Sequence, residues 1–251
     1  MPRPLALVTG ASAGIGEATA RALAASGFDL VVTGRREDRL RELGAQIEGA
    51  TVHAIAFDLT DKDELQRVVK KHASLFERVD VLVNNAGLAI GTEPVQEGDP
   101  DEWDVVIDTN VKALLRLTRA ILPHMVGRGA GHVVNLGSTA GRWTYPGGAV
   151  YSASKFAVRA ISEGMRMDLM GSGVRVTNIE PGLVTGTEFS DVRFRGDHAR
   201  ARKVYEGVQA LTPEDVAETI VWCVTRPAHV NVQELVLFPT AQASVRDVKR
   251  A

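Results

Sequence analysis

The chain has one cysteine, almost no net charge and no long apolar run, and each shortage excludes something. A single cysteine in 251 residues, Cys223, can form neither an intramolecular disulfide nor a cysteine metal cluster, so it reads as a small buried hydrophobe in a reducing compartment. Lys and Arg number 29 against 31 Asp and Glu, a formal charge of -2. That is too little of either sign to draw the chain as a whole to nucleic acid or to an anionic membrane. No apolar stretch is long enough to span a bilayer, and the first apolar run, Leu5 to Val8, enters a glycine loop rather than a cleavage site, so the expected location is cytoplasmic. The six histidines (His53, His72, His124, His132, His198 and His229) show no ligand spacing, and no metal is expected. Internal repeats and Pro/Ser/Gly linkers are also missing. With 45% hydrophobic and 24% charged residues, the composition points to one globular domain spanning residues 1–251.

Short β-branched or apolar runs do recur: Leu5 to Val8, Leu30 to Thr33, Val52 to Phe57, Val79 to Val83, His132 to Leu136, Val174 to Ile179 and Leu235 to Phe238. Between most of them, apolar residues fall three or four apart, as at Leu40, Leu43 and Ile47, the spacing of amphipathic helices. Strands alternating with helices predict right-handed βαβ crossovers. The result is a doubly wound α/β architecture: a seven-stranded, mainly parallel sheet with helices on both faces. One interval breaks the rhythm, from Pro181 to Tyr205, before a helix start at Thr212-Pro213-Glu214. It follows a strand's carboxyl end, where ligands of open α/β sheets bind, and is expected to be a substrate lid. The tail from Thr240 to Ala251 is polar and without periodicity, which predicts fraying or use at a subunit contact.

The first strand ends in Thr9-Gly10-Ala11-Ser12-Ala13-Gly14-Ile15-Gly16 and helical spacing follows. Glycines there let the backbone approach a pyrophosphate, which the free N–H groups and the positive end of the helix dipole favour. The spacing is G-x-x-x-G-x-G, a departure from the commonest dinucleotide fingerprint. The second strand ends in Gly34-Arg35-Arg36; Asp29, before the strand, is in the wrong place for the acidic role, and Glu37, Asp38, Arg39 and Arg41 follow, so a solvated helix start is the alternative reading. An acidic residue at that strand end would suit the ribose hydroxyls of NAD. Arginines there suit a 2′-phosphate, so NADP is the expected cofactor.

Tyr151 and Lys155 stand four apart at the start of an apolar-periodic helix, so both side chains share a face. A phenol with a pKa near 10 is only about one part in a thousand ionised at neutral pH, and a nearby cation is needed to make it an efficient base. With these residues in place the chain resembles the short-chain dehydrogenases/reductases. The glycine loop, Asn84-Asn85-Ala86-Gly87, Asn110, Ser138, the Tyr151/Lys155 pair and Pro181-Gly182 occur in that family's order over nearly the whole chain.

The resemblance implies a Rossmann fold and a set of roles. Ser138 hydrogen-bonds the substrate oxygen, Tyr151 is the general acid/base, Lys155 binds the nicotinamide ribose and depresses the tyrosine pKa, and Asn110 positions a water. Gly10, Ser12, Ala13, Gly14, Ile15, Gly16, Arg35, Arg36, Asp58, Leu59, Asn85, Ala86, Gly87, Pro181, Gly182 and Val184 join Tyr151 and Lys155 around the cofactor. The stretches Gly137 to Gly141, Asn178 to Val184, Gly186 to Ser190, Val192 to Asp197 and Pro227 to Asn231 are similar to the NADP-dependent 3-hydroxy acid dehydrogenases, the group of serine 3-dehydrogenase, allo-threonine dehydrogenase and malonic semialdehyde reductase. This implies a small 3-hydroxy acid, or its semialdehyde, as substrate, with a bulkier ketone or aldehyde as the alternative and a non-catalytic NADP-binding sensor as a third reading. A substrate carboxylate needs a cation, and Arg142, Arg193 and Arg195, with Glu188 nearby, are the candidates; each arginine could equally be exposed or paired with Glu188, Asp191 or Asp197. The apolar helices over Val105 to Leu122 and Tyr151 to Leu169 exceed what one core stripe needs, and a homotetramer or dimer is expected, as in the family.

Overall fold

Seven strands, all parallel, form one sheet in the order β3-β2-β1-β4-β5-β6-β7 in a computed structural model that describes residues 3–251. They are β1 (Leu5–Thr9), β2 (Asp29–Gly34), β3 (Val52–Ala56), β4 (Val81–Asn84), β5 (Gly131–Leu136), β6 (Val174–Pro181) and β7 (Glu234–Leu237). Each of the seven apolar runs in the sequence becomes a strand, with ends shifted by one or two residues. The sheet is wholly parallel.

β1 shows why these runs lack polar alternation. Ala6 and Val8 enter one core with Leu23 of α1 (Gly14–Ala25), Leu40 of α2 (Glu37–Gln46) and Ile220 of α10 (Pro213–Val224). Leu5 and Leu7 enter the other, with Leu65 of α3 (Lys62–Lys71), Phe76 of α4 (Ala73–Phe76) and Ile121 of α6 (Leu114–Arg128). Both faces of the strand are buried, so every position is apolar. Helix starts follow local chemistry: Asp61 caps α3, Asp99 caps α5 (Pro100–Ile107), and Thr212 and Asp215 form a capping box on α10.

The strand order reverses between β1 and β4, and this switch point opens a crevice at their carboxyl ends. Beyond β6, residues 181–205 form two short helices, α8 (Phe189–Arg193) and α9 (His198–Lys203). The tail is packed rather than frayed. Gln242 is buried and its Oε1 accepts from the Leu183 N–H at 2.8 Å, and the Ala251 N–H donates to the Gly207 carbonyl at 2.9 Å. The tail thus braces both ends of the segment after β6. Among the described residues, no helix is long and apolar enough to cross a membrane and no cluster of metal-ligating side chains occurs.

One buried group carries a stability consequence. His132 in β5 is buried, with Nε2 2.8 Å from the Thr177 hydroxyl and no partner for Nδ1. Burial, then the charge of Arg175, pushes its pKa down to about 3. Below pH 6.5 the unfolded chain takes up a proton there that the folded chain refuses. Stability should therefore fall by about 1.4 kcal/mol per pH unit from this residue between pH 6.5 and 3. Urea unfolding at pH 7 and pH 5 checks this: His132→Gln should lose about 2 kcal/mol less than the parent over that interval, and an identical loss in both would refute it.

Candidate active site

The end of β1 and the end of β4 are stitched together. The Thr9 hydroxyl accepts from the N–H groups of Asn85 (3.0 Å) and Ala86 (2.9 Å), and Asn85 Nδ2 donates to the Thr9 carbonyl at 2.8 Å. This stitch holds the glycine turn against the next strand so closely that side chains are excluded. A Cβ on Gly10, already at φ +64°, would lie 3.0 Å from the Ala86 backbone, and one on Gly16 would run into the Gly10 carbonyl. Gly14 has φ +56° and faces Thr187 across the crevice. Only glycine accommodates all three demands.

The crevice is a cavity of about 790 Å³. Of the residues expected around a cofactor, Gly10, Ser12, Ala13, Gly14, Ile15, Arg35, Arg36, Asp58, Leu59, Asn85, Ala86, Gly87, Tyr151, Lys155, Pro181, Gly182 and Val184 all line it. Gly16 lies beneath the turn and acts through the close packing just described. At the end of β2, Arg36 donates to the Ser12 hydroxyl at 3.2 Å and 3.0 Å, while Arg35 is exposed beside it. Asp58 turns its carboxylate onto the N–H and hydroxyl of Thr60 (2.8 Å and 2.7 Å).

The other end of the cavity gathers Ser138, Tyr151 and Lys155. Ser138 follows β5, and its hydroxyl accepts from the Ala140 N–H at 3.1 Å. Tyr151 and Lys155 project from the first turns of α7 (Ala149–Asp168). Lys155 Nζ donates to the Leu136 carbonyl at 2.7 Å and sits 5.9 Å from the Tyr151 ring centre. Asn110 stands behind, in a π-helical turn (Asp108–Ala113) between α5 and α6, the kind of helix irregularity that re-aims a functional side chain. Its Nδ2 donates to the Leu88 carbonyl (2.8 Å) and the Ser154 hydroxyl (2.9 Å), and its Oδ1 accepts from the Leu88 N–H (2.9 Å).

The environment of Tyr151 in the protein alone works against its ionisation. Burial raises the phenol above its ordinary pKa, opposed by hydrogen bonding to Ser138 and by the charge of Arg193. The Lys155 ammonium is itself pushed down to about 8 by burial. In the protein alone, desolvation therefore outweighs the pull of the cations, and the pair favours a neutral phenol.

The four substrate candidates separate clearly. Arg142 does not face the cavity. It is held by Glu180, which is wholly buried, and by Glu234. Removing Arg142 would leave the buried Glu180 carboxylate with the Asn178 amide at 2.6 Å and Arg159 as its one remaining cation, at 3.9 Å, so the charge of Arg142 is already committed. Arg195 is likewise committed, to Glu93 (2.9 Å) and Glu102 (2.6 Å), neither of them a partner the sequence suggested. Glu188 lines the cavity but pairs with Arg36 at 2.8 Å and Arg39 at 3.5 Å, beside the end of β2. Arg193 alone remains. It lines the cavity, one guanidinium nitrogen donates to the Tyr145 hydroxyl at 2.9 Å, and its Nε is buried without a partner.

Two contributors escaped the sequence reading. Tyr145 lies in an irregular stretch with no periodic signal, yet the Arg193 guanidinium sits over its ring, 5.1 Å from the centroid, and donates to its hydroxyl. Phe189 opens α8 and packs on Tyr151 with ring centres 5.4 Å apart.

Residues 4–197 match the short chain dehydrogenase family. The NADP-dependent 3-hydroxy acid dehydrogenase YdfG of Escherichia coli K12 is 47% identical over 239 residues, covering 95% of this chain and 96% of that protein. Sulfoacetaldehyde reductase 2 of Chromohalobacter salexigens is 46% identical over 241 residues, covering 95% of each. Among solved structures, the closed form of serine dehydrogenase complexed with NADP+ superposes with a TM-score of 0.92 at 46% identity, covering 98% of this chain and 100% of that one. With the glycine turn, the Ser138, Tyr151 and Lys155 cluster and the reversed strand order all in one crevice, the chain belongs to the short-chain dehydrogenase family.

Proposed function

We propose that the protein is an NADP-dependent dehydrogenase of small 3-hydroxy acids, interconverting the 3-hydroxyl and the corresponding carbonyl. One observation supports the substrate class: Arg193 lines the same cavity as Ser138 and Tyr151 and, among the described residues, has no carboxylate partner, its guanidinium donating to the Tyr145 hydroxyl at 2.9 Å, a cation available to the acid group of a small substrate. The cavity fits the cofactor as well. Its glycine turn admits a pyrophosphate against bare backbone, and Ser12, Arg35 and Arg36 supply hydroxyl and guanidinium donors for a 2′-phosphate. When bound, NADP supplies the hydride acceptor, and NADPH the donor.

The chain's own groups do the rest. Ser138 donates to the substrate oxygen and stabilises charge developing there. Tyr151 gives or takes the hydroxyl proton, and Lys155, anchored on the Leu136 carbonyl, would hold the cofactor ribose. Asn110, with both amide atoms already tied to Leu88, holds the π-helical turn and a water at the back of the site. Residues 181–205 act as the substrate lid within a single domain over 1–251. Exposed Leu115 on α6 and Phe156 on α7 support assembly of these helices into a dimer or tetramer. The expected location is cytoplasmic.

A sulfonate would meet the same Arg193, and the likeness to a sulfoacetaldehyde reductase favours a 2-sulfoaldehyde as the second reading. A spectrophotometric panel tests both. L-serine, L-allo-threonine or 3-hydroxypropanoate should reduce NADP well ahead of NAD, and sulfoacetaldehyde should oxidise NADPH if the second reading holds. Turnover only of bulky uncharged ketones would overturn the acid-group assignment. No turnover at all, with NADP still bound, would point to a sensor.

A further inference from the structure

The cation expected to hold the cofactor's 2′-phosphate already has an anion on it. Arg36 donates along one edge to the Ser12 hydroxyl (3.2 Å and 3.0 Å) and along the other to the two carboxylate oxygens of Glu188 (2.8 Å each). Arg39 adds a second cation to Glu188 at 3.5 Å. Such a two-oxygen clasp is the geometry in which a guanidinium also takes a phosphate. Glu188 comes from the far side of the crevice, 152 residues along the chain from Arg36, and immediately precedes α8, which carries both Phe189 and Arg193.

We propose that Glu188 is a built-in competitor for the 2′-phosphate subsite: a specificity-determining residue that occupies Arg36 until the phosphate displaces it, and so ties the position of α8 to the cofactor's phosphate. The proposal rests on the reading that NADP is the cofactor. Competition follows from donor count and charge. With one edge of the guanidinium on Ser12 and the other on Glu188, no open fork faces the crevice, and a carboxylate left beside an arriving phosphate would repel it. The bond to be displaced is half-exposed, with 38% and 45% of the two side chains accessible. It is therefore weak enough for a phosphate to break and strong enough to be felt.

Calorimetric titration with adenosine 2′,5′-bisphosphate and with 5′-AMP reads the competition without any turnover. Glu188→Gln keeps the shape and removes the charge. It should tighten the bisphosphate by about two- to fivefold, the range set by exposed ion pairs, and leave 5′-AMP unchanged. Glu188→Ala should shift the bisphosphate in the same direction. Unchanged or weaker bisphosphate binding in both variants would overturn the proposal and would make Glu188 a clamp on Arg36 or a bystander. If the parent protein bound the two nucleotides equally, the NADP reading itself would fall, an outcome distinct from both.

Discussion

Tyr151→Phe should lower kcat by about 10²- to 10⁴-fold, the usual worth of a positioned acid/base group, while NADP binding stays close to that of the parent. The substitution removes one oxygen and little else. The ring keeps its packing on Phe189, 5.4 Å away, and Lys155 keeps its hydrogen bond to the Leu136 carbonyl. A loss in turnover can then be assigned to the hydroxyl. The environment also sets a direction in pH. Burial holds the phenol above its ordinary range and pushes Lys155 down to about 8, so the protonated phenol is the resting form at neutral pH. Carbonyl reduction, which needs that proton, should be flat through neutrality and decline only in alkali. Alcohol oxidation, which needs the phenolate, should rise as pH rises. Steady-state rates in both directions for parent and variant test this; full activity in Tyr151→Phe, or an oxidation rate that falls from pH 7 to pH 9, would contradict the assigned role.

What was legible in the sequence, and what was not, divides by range of interaction. The seven strands were readable because burial on both faces leaves runs such as Leu5 to Val8 without polar alternates. The cofactor turn was readable because its glycines answer steric demands set within a few residues and by one neighbouring strand. The charged groups were not. Arg142, Arg193 and Arg195 look alike in sequence, and what separates them is which carboxylate the fold delivers. Glu180 and Glu234 reach Arg142 from two later strands, and Glu93 and Glu102 reach Arg195 from a hundred residues earlier. The setting of Tyr151 divides in the same way. Proximity to a lysine is visible as a spacing of four, whereas the burial that opposes it depends on α8 and the strand ends closing around the ring.

Arg193→Leu should raise KM for 3-hydroxypropanoate or L-serine by about 30-fold or more. Losing a desolvated, hydrogen-bonded charge partner costs about 2–5 kcal/mol, and each 1.4 kcal/mol is tenfold. KM for a small uncharged aldehyde should be unaffected, because that substrate has nothing to place on the guanidinium. Leucine fills much of the volume, so the main structural cost is the Tyr145 hydroxyl left without its 2.9 Å donor, about 1 kcal/mol of stability. Arg193→Lys separates charge from fork geometry: an ammonium restores attraction but not a bidentate clasp, and should recover only part of the affinity. Arg195→Gln provides the contrast, two residues away. It breaks the pairs with Glu93 and Glu102 at the surface and should leave KM for the acid within about twofold. Equal KM increases for the acid and the uncharged aldehyde in Arg193→Leu would mean that Arg193 shapes the pocket rather than reading the anion. A large KM increase in Arg195→Gln would move the anion site to the outer end of α8. The ordering expected, Arg193→Leu far above Arg193→Lys and both above Arg195→Gln, follows from one difference: Arg193 lines the cavity with no carboxylate partner among the described residues, whereas Arg195 directs its donors to the protein's own carboxylates.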